Sequence, residues 1–124
     1  MLLFKTEHVA PILDGTKTQT RRLWPKGCRV KAGNVYQART RMLDASSTFA
    51  RLRILRVWRE RLGDITEDDA HAEGYPSRDA YLDAFQDINR LWRASLWAFT
   101  LSSEVWAVEF AVERQSAAAE VAQP

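Results

Sequence analysis

The run "ILDGTKTQTRRLW", residues 12–24, places Lys17, Thr18, Thr20, Arg21 and Arg22 within six consecutive positions, just after Gly15. A lysine amine beside threonine hydroxyls could form a catalytic pair, because a hydroxyl is a weak nucleophile until a neighbouring base takes its proton. Two adjacent arginines could hold phosphates through their planar, permanently charged forks. The same residue types also make an ordinary solvated strand. The run by itself leaves all three readings open.

The elements around it narrow the choice. Residues 5–14 read as a short helix, with Thr6 as N-cap, a stripe of Val9, Ile12 and Leu13, and Gly15 as C-cap. Pro11 inside that span makes the helix short or late to start. Residues 17–24 alternate, with Lys17, Gln19 and Arg21 on one face and Thr18, Thr20 and Arg22 on the other. "WPKG" closes this strand as a turn. A second strand runs over residues 35–42, after the turn Ala32-Gly33-Asn34. Residues 49–61 alternate up to Ile54, and the adjacent pair Ile54 and Leu55 then breaks the register, which predicts a bulge. Thr66 reads as the N-cap of a helix, with Asp69 in the place of a capping-box acid and Gly74 as the stop. Ser77 caps a further helix striped by Tyr81, Leu82, Phe85, Ile88 and Trp92, and residues 105–112 form a last strand. Strands pair with sequence neighbours, mostly antiparallel. The expected fold is α+β, a small and partly closed mixed β-barrel flanked by short helices.

Composition bounds the function. A chain of 124 residues with 46% hydrophobic and 27% charged residues is one ordinary globular domain. No apolar run approaches the ~20 residues of a membrane span. The start "MLLFKTEHV" is too short for a signal peptide, so a cytoplasmic location and no membrane partner are expected. One cysteine, Cys28, and two histidines, His8 and His71, give no disulfide framework and no metal-ligand spacing. No metal or cofactor is therefore expected. Residues 1–62 carry 14 Lys/Arg against 4 Asp/Glu, a sum of +10, and residues 63–124 carry 4 against 12, a sum of −8. A basic half suits a polyanion such as RNA, unless the two halves pack together and neutralise one another. Trp24 and Tyr36 could stack a base, and Tyr75 could line a pocket mouth.

Three stretches in this order, "ILDGTKTQTRRLW", "VKAGNVYQART" and "ITEDDAHAEGY", with a closing "VWAVEF", resemble an ASCH domain, a relative of the PUA fold of RNA-binding β-barrels. The resemblance covers roughly residues 4–113. Its most specific part is the pattern G-x-K-x-x-T-x-R, here Gly15, Lys17, Thr20 and Arg22. It implies an ASCH domain over residues 1–113 and a tail over 114–124. One branch of the family deacetylates N4-acetylcytidine, and similarity to that branch implies a catalytic lysine, threonine and glutamate. These fall on Lys17, Thr20 and, through the pattern from Thr66 onward, Glu73. Other branches resemble metal-dependent ribonucleases or RNA-binding modules. This chain adds the turn "WPKGC" and a helical insert at residues 77–97.

The resemblance thus implies a pocket formed by residues 15–22, 36 and 73–75. Thr20 would be the nucleophile, Lys17 the base and Glu73 a proton shuttle or a holder of the lysine. Gly15, Arg21, Arg22, Trp24, Tyr36 and Tyr75 would bind the substrate, with Arg21 also readable as a surface charge. Backbone amides near Gly15 or Gly74 would stabilise the oxyanion. Positions three apart on a regular strand face opposite ways, so Lys17 and Thr20 need a bulge or twist to converge. A modified nucleoside or RNA is the expected partner, and a monomer the expected state.

Overall fold

The computed structural model describes residues 1–89 and 100–114. Five strands form one sheet: β1 (Leu2–Leu3), β2 (Gln19–Arg22), β3 (Val35–Arg39), β4 (Thr48–Arg61) and β5 (Glu104–Val112). Among the described residues three α-helices accompany it: α1 (Val9–Asp14), α2 (Glu67–Ala72) and α3 (Arg78–Ile88). The strand order is β1-β3-β4-β5-β2. The expected α+β half-barrel with short helices is what the chain forms.

The pairing departs from a sequence-neighbour pattern. β2 does not pair with β3; it runs antiparallel to β5, with Thr20 opposite Val108 and Arg21 opposite Ala107. β1, a short strand absent from the sequence reading, pairs parallel with β3. β1 and β2 are therefore the two edges. Arg22 spans them, donating through Nη2 to the Leu3 carbonyl at 2.7 Å. This bond clasps the edges of the curled sheet.

The bulge expected at Ile54 and Leu55 is present: Ile54 faces Phe110, and the next partnered residue, Arg56, faces Glu109. An extra residue inverts the facing of everything after it. Leu52, Ile54 and, beyond the bulge, Val57 all pack on one apolar cluster with Phe4, Ile12, Val108 and Phe110. Trp58 and Glu60 are thereby turned to the opposite face. A second cluster joins Leu62, Ile65, Ala70, Tyr81, Leu82, Phe85 and Val105.

The helix caps largely follow the sequence signals. Thr66 accepts from the Asp69 amide and Ser77 from the Ala80 amide, at 3.0 and 3.1 Å. Gly15 ends α1 with φ 85°, a backbone state that glycine adopts without strain. Thr6 does not cap α1; it lies in a 3₁₀ turn, and the α-helix starts only at Val9. Leu13 and Ile88, assigned to apolar stripes, are instead exposed over 40% and 45% of their surface. Trp92 and residues 115–124 of the expected tail lie outside the described residues.

The two halves of opposite charge meet. Arg53, Arg56 and Arg59 of β4 pair with Glu113, Glu109 and Glu104 on or beside β5. Arg53 and Arg56 lie on one face of β4 and Arg59, beyond the bulge, on the other, and each is neutralised by its own acid. Exposed pairs of this kind add little to stability.

Candidate active site

β2 begins two residues later than the alternation suggests, so Lys17 and Thr18 precede it. The Lys17 amide bonds the Pro11 carbonyl at 3.0 Å, and the Thr18 amide bonds the Ala72 carbonyl at 2.7 Å. These bonds tie the segment to α1 on one side and to the end of α2 on the other. Gly74, in a left-handed conformation at φ 97°, turns the chain just after α2 and lets it pass beside Lys17; a Cβ there would sit 3.5 Å from the Lys17 Cβ. Glu73 is the residue delivered to Lys17 by that turn.

A buried charge cluster results. Lys17 Nζ donates to the Glu73 carboxylate at 3.1 Å, to the Glu73 carbonyl at 2.7 Å and to the Gln19 carbonyl at 3.0 Å. The three acceptors match the three protons of an ammonium. Burial pushes the Lys17 ammonium below the ordinary lysine range; Glu73 opposes this, and Arg22 and Arg21 add to it. The second oxygen of Glu73 accepts from Arg21 Nη1 at 2.9 Å. Arg21 is not a surface charge: its residue is 4% exposed. Its guanidinium also bonds Gln19 and Glu60 and lies 3.4 Å from Asp69 Oδ2. The bulge in β4 explains Glu60, because only the inverted register turns it toward β2. Asp69, expected as a capping acid, directs its carboxylate to Gln19 and Arg21 instead.

Thr20 and Arg22 share the other face of β2. Arg22 Nε donates to Thr20 Oγ1 at 3.1 Å, and its guanidinium lies 4.9 Å from the centre of the Phe4 ring. Thr20 is buried. No hydrogen bond joins Lys17 to Thr20 among the described residues. The two meet as parts of one cavity wall rather than as a bonded pair.

That cavity has a volume of about 540 Å³, inside the ~300–1,000 Å³ range of small-molecule sites. Lys17, Thr20, Arg21, Arg22, Glu73, Tyr75 and Trp24 all line it. It lies where the two edge strands approach, since Leu3 and Phe4 form part of its wall. Its apolar surface comes from both clusters, through Phe4 and Trp24 of one and Tyr75, Tyr81 and Phe85 of the other. Lys5, Lys26 and Arg29 line it as well, with side chains that reach solvent.

Two expected residues fall outside. Tyr36 packs on the first apolar cluster and its hydroxyl accepts from the Lys31 amide at 2.9 Å, so it cannot stack a ligand in this cavity. Gly15 serves as the helix cap, away from the cavity wall. The amides expected at the oxyanion are also engaged: Gly15 with the Ile12 carbonyl and Gly74 with that of His71. Conversely, His8 and Tyr81 line the cavity although no sequence motif marks them as site residues. His8 Nε2 lies 3.1 Å from the Tyr75 hydroxyl, and burial, with Lys17, Arg22 and Lys5 nearby, pushes its pKa down to about 4. His71 is exposed and bonds the Pro76 carbonyl at 3.0 Å, a purely local bond.

The fold has counterparts among solved structures. The chain is similar to an ASCH domain from Lactobacillus crispatus JV V101 at 18% identity and a TM-score of 0.69, over 84% of this chain and 69% of that one. It is also similar to a DUF984 protein from Enterococcus faecalis V583 at 16% identity and a TM-score of 0.72, over 91% and 76% of the two chains. Neither a protein-family model nor a curated protein matches the sequence. The fold is that of an ASCH domain, as the motif order in the sequence implies.

Proposed function

We propose that the cavity is the active site of a metal-independent amidohydrolase that deacylates N4-acetylcytidine or a similar acylated cytosine nucleoside. The supporting observation is the company that Thr20 keeps. A buried hydroxyl with an arginine donor shares one cavity wall with a buried lysine whose pKa is lowered and with the carboxylate that holds that lysine. Thr20 Oγ adds to the acyl carbon, and its proton passes to Lys17, which accepts it as an amine after handing one of its own protons to the Glu73 carboxylate. The adduct collapses, the bond from the acyl carbon to N4 breaks, and N4 takes the proton from Lys17. Cytidine leaves and an acyl ester remains on Thr20. Water then hydrolyses that ester, with Lys17 again as base, and releases the acid. Glu73 holds Lys17 in place through two oxygens and, through its carboxylate, takes and returns the lysine's proton. Arg22 steadies the developing charge on the Thr20 oxygen.

A second reading has its own observation. Lys5, Lys26 and Arg29 at the rim suit a phosphate backbone, so the base read in the cavity could belong to an RNA strand. In that reading the domain is an RNA-binding module or a ribonuclease.

The test is hydrolysis of N4-acetylcytidine, followed by chromatography of released cytidine. Wild type should release cytidine with chelator present, and Thr20→Ala and Lys17→Met should abolish release. A wild type inert toward the nucleoside that binds RNA with steep salt dependence would favour the second reading.

A further inference from the structure

Tyr81 stands on α3, inside the helical insert at residues 77–97, and not on any motif that carries the ASCH resemblance. It is 3% exposed, lines the cavity, and its hydroxyl is buried with no hydrogen-bond partner among the described residues. Buried hydroxyls are nearly always paired, so an orphan hydroxyl on a residue that lines the cavity calls for the group that would pair with it. Its ring is fixed by its neighbours: Tyr75 packs edge-on at 5.5 Å between ring centres and Phe85 lies tilted at 5.9 Å. The hydroxyl therefore has little freedom to seek another partner.

The orphan group is a donor. Burial, and then the negative charge of Glu73, hold the Tyr81 phenol well above its ordinary pKa, so it keeps its proton. The buried donors around it are engaged. Lys17 directs its protons at oxygens of Glu73 and Gln19, and the Glu73, Gly74 and Tyr75 amides bond the carbonyls of Asp69, His71 and Ala70. Arg21 Nη2 is also without a hydrogen bond, but it faces the Asp69 carboxylate at 3.4 Å. A phenol can act as the donor to a carbonyl that gains charge during acyl transfer.

We propose that Tyr81 is a ligand-binding residue of this cavity, donating its hydroxyl proton to a carbonyl oxygen of the bound molecule. The oxygen belongs to the acyl group or to the pyrimidine ring of an acylated nucleoside. This rests on the reading of the cavity given above for the choice of ligand.

The test compares Tyr81→Phe with wild type, and Thr20→Ala/Tyr81→Phe with Thr20→Ala, in the full chain. Phenylalanine keeps the ring packing and removes only the orphan hydroxyl, so thermal unfolding should occur at the same temperature or higher. Against that unchanged stability, kcat/KM for N4-acetylcytidine should fall about tenfold or more, in kcat if the acyl oxygen is the partner and in KM if a ring oxygen is. Binding of N4-acetylcytidine to the Thr20→Ala background, measured by calorimetry, keeps the two proposals separable. If wild type binds the nucleoside without cleaving it, and Tyr81→Phe weakens that binding about tenfold, the amidohydrolase reading fails and the role of Tyr81 stands. Equal turnover and equal binding with and without the hydroxyl would overturn it. No binding and no turnover by wild type would overturn both.

Discussion

Arg22 donates through Nε to the hydroxyl of Thr20, two residues back on the same face of β2, at 3.1 Å. Its Nη2 meanwhile holds the Leu3 carbonyl of the opposite edge strand. One guanidinium thus orients the candidate nucleophile and closes the sheet over the cavity. A lysine has neither the fork nor the reach for both bonds. Arg22→Lys should keep the charge and the fold, yet reduce the deacetylation rate about 10–100-fold, the scale of removing one charged donor at a reacting oxygen. Steady-state kinetics on N4-acetylcytidine would show it; a rate within twofold of wild type would remove Arg22 from the mechanism.

Glu73 is the hinge of the buried cluster, since each of its carboxylate oxygens holds a different cation. Glu73→Gln leaves Lys17 and Arg21 buried with the carboxylate gone and should destabilise the fold by about 3–5 kcal/mol. Lys17→Met should be milder, because Arg21 still compensates Glu73. Urea unfolding of the two variants gives the ranking, and the reverse order would mean that Lys17 rather than Glu73 anchors the cluster.

Stability should also depend on pH through His8. Its pKa is 6.5 unfolded and about 4 folded. Above pH 6.5 both states carry a neutral imidazole and the group contributes no pH dependence. As pH falls from 6.5 to 4 the unfolded chain takes up a proton that the folded chain refuses, so stability is lost across that window. His8→Gln cannot titrate, and its unfolding midpoint should fall less between pH 7 and pH 4 than that of wild type. Parallel curves for the two proteins would show that His8 is free to protonate in place.

The rim cations separate the two functional readings. Lys26→Ala/Arg29→Ala should leave turnover of the nucleoside within about twofold, because an uncharged nucleoside offers no phosphate for these cations to hold. The same pair of changes should weaken binding of single-stranded RNA and flatten its salt dependence by roughly one unit of slope for each phosphate that the protein no longer neutralises. Fluorescence anisotropy at several salt concentrations measures both. A matching drop in nucleoside turnover would place the rim within the catalytic site.

Much of the fold is local, and local chemistry is written in the order of residues. The caps at Thr66 and Ser77 and the stop at Gly15 follow from side-chain oxygens and glycine freedom within a few positions. The bulge at Leu55 follows from two adjacent apolar residues in a strand of period two. The alternation along β2 correctly groups Gln19 with Arg21 and Thr20 with Arg22, since side chains two apart share a face.

What the sequence could not decide is how elements far apart in the chain come together. That β2 pairs with β5 rather than with β3 depends on which long loop closes, and strand sequences of similar pattern carry no address. Arg21 reads as a surface charge because a lone arginine favours water. It is buried here because Glu60 of β4 and Asp69 and Glu73 of α2 and its C-terminal cap arrive to neutralise it. Tyr36 and Tyr81 illustrate the same limit. Each is an aromatic on an amphipathic element, and the packing alone leaves Tyr36 half-buried against the first cluster and sends Tyr81 into the second, where it lines the cavity.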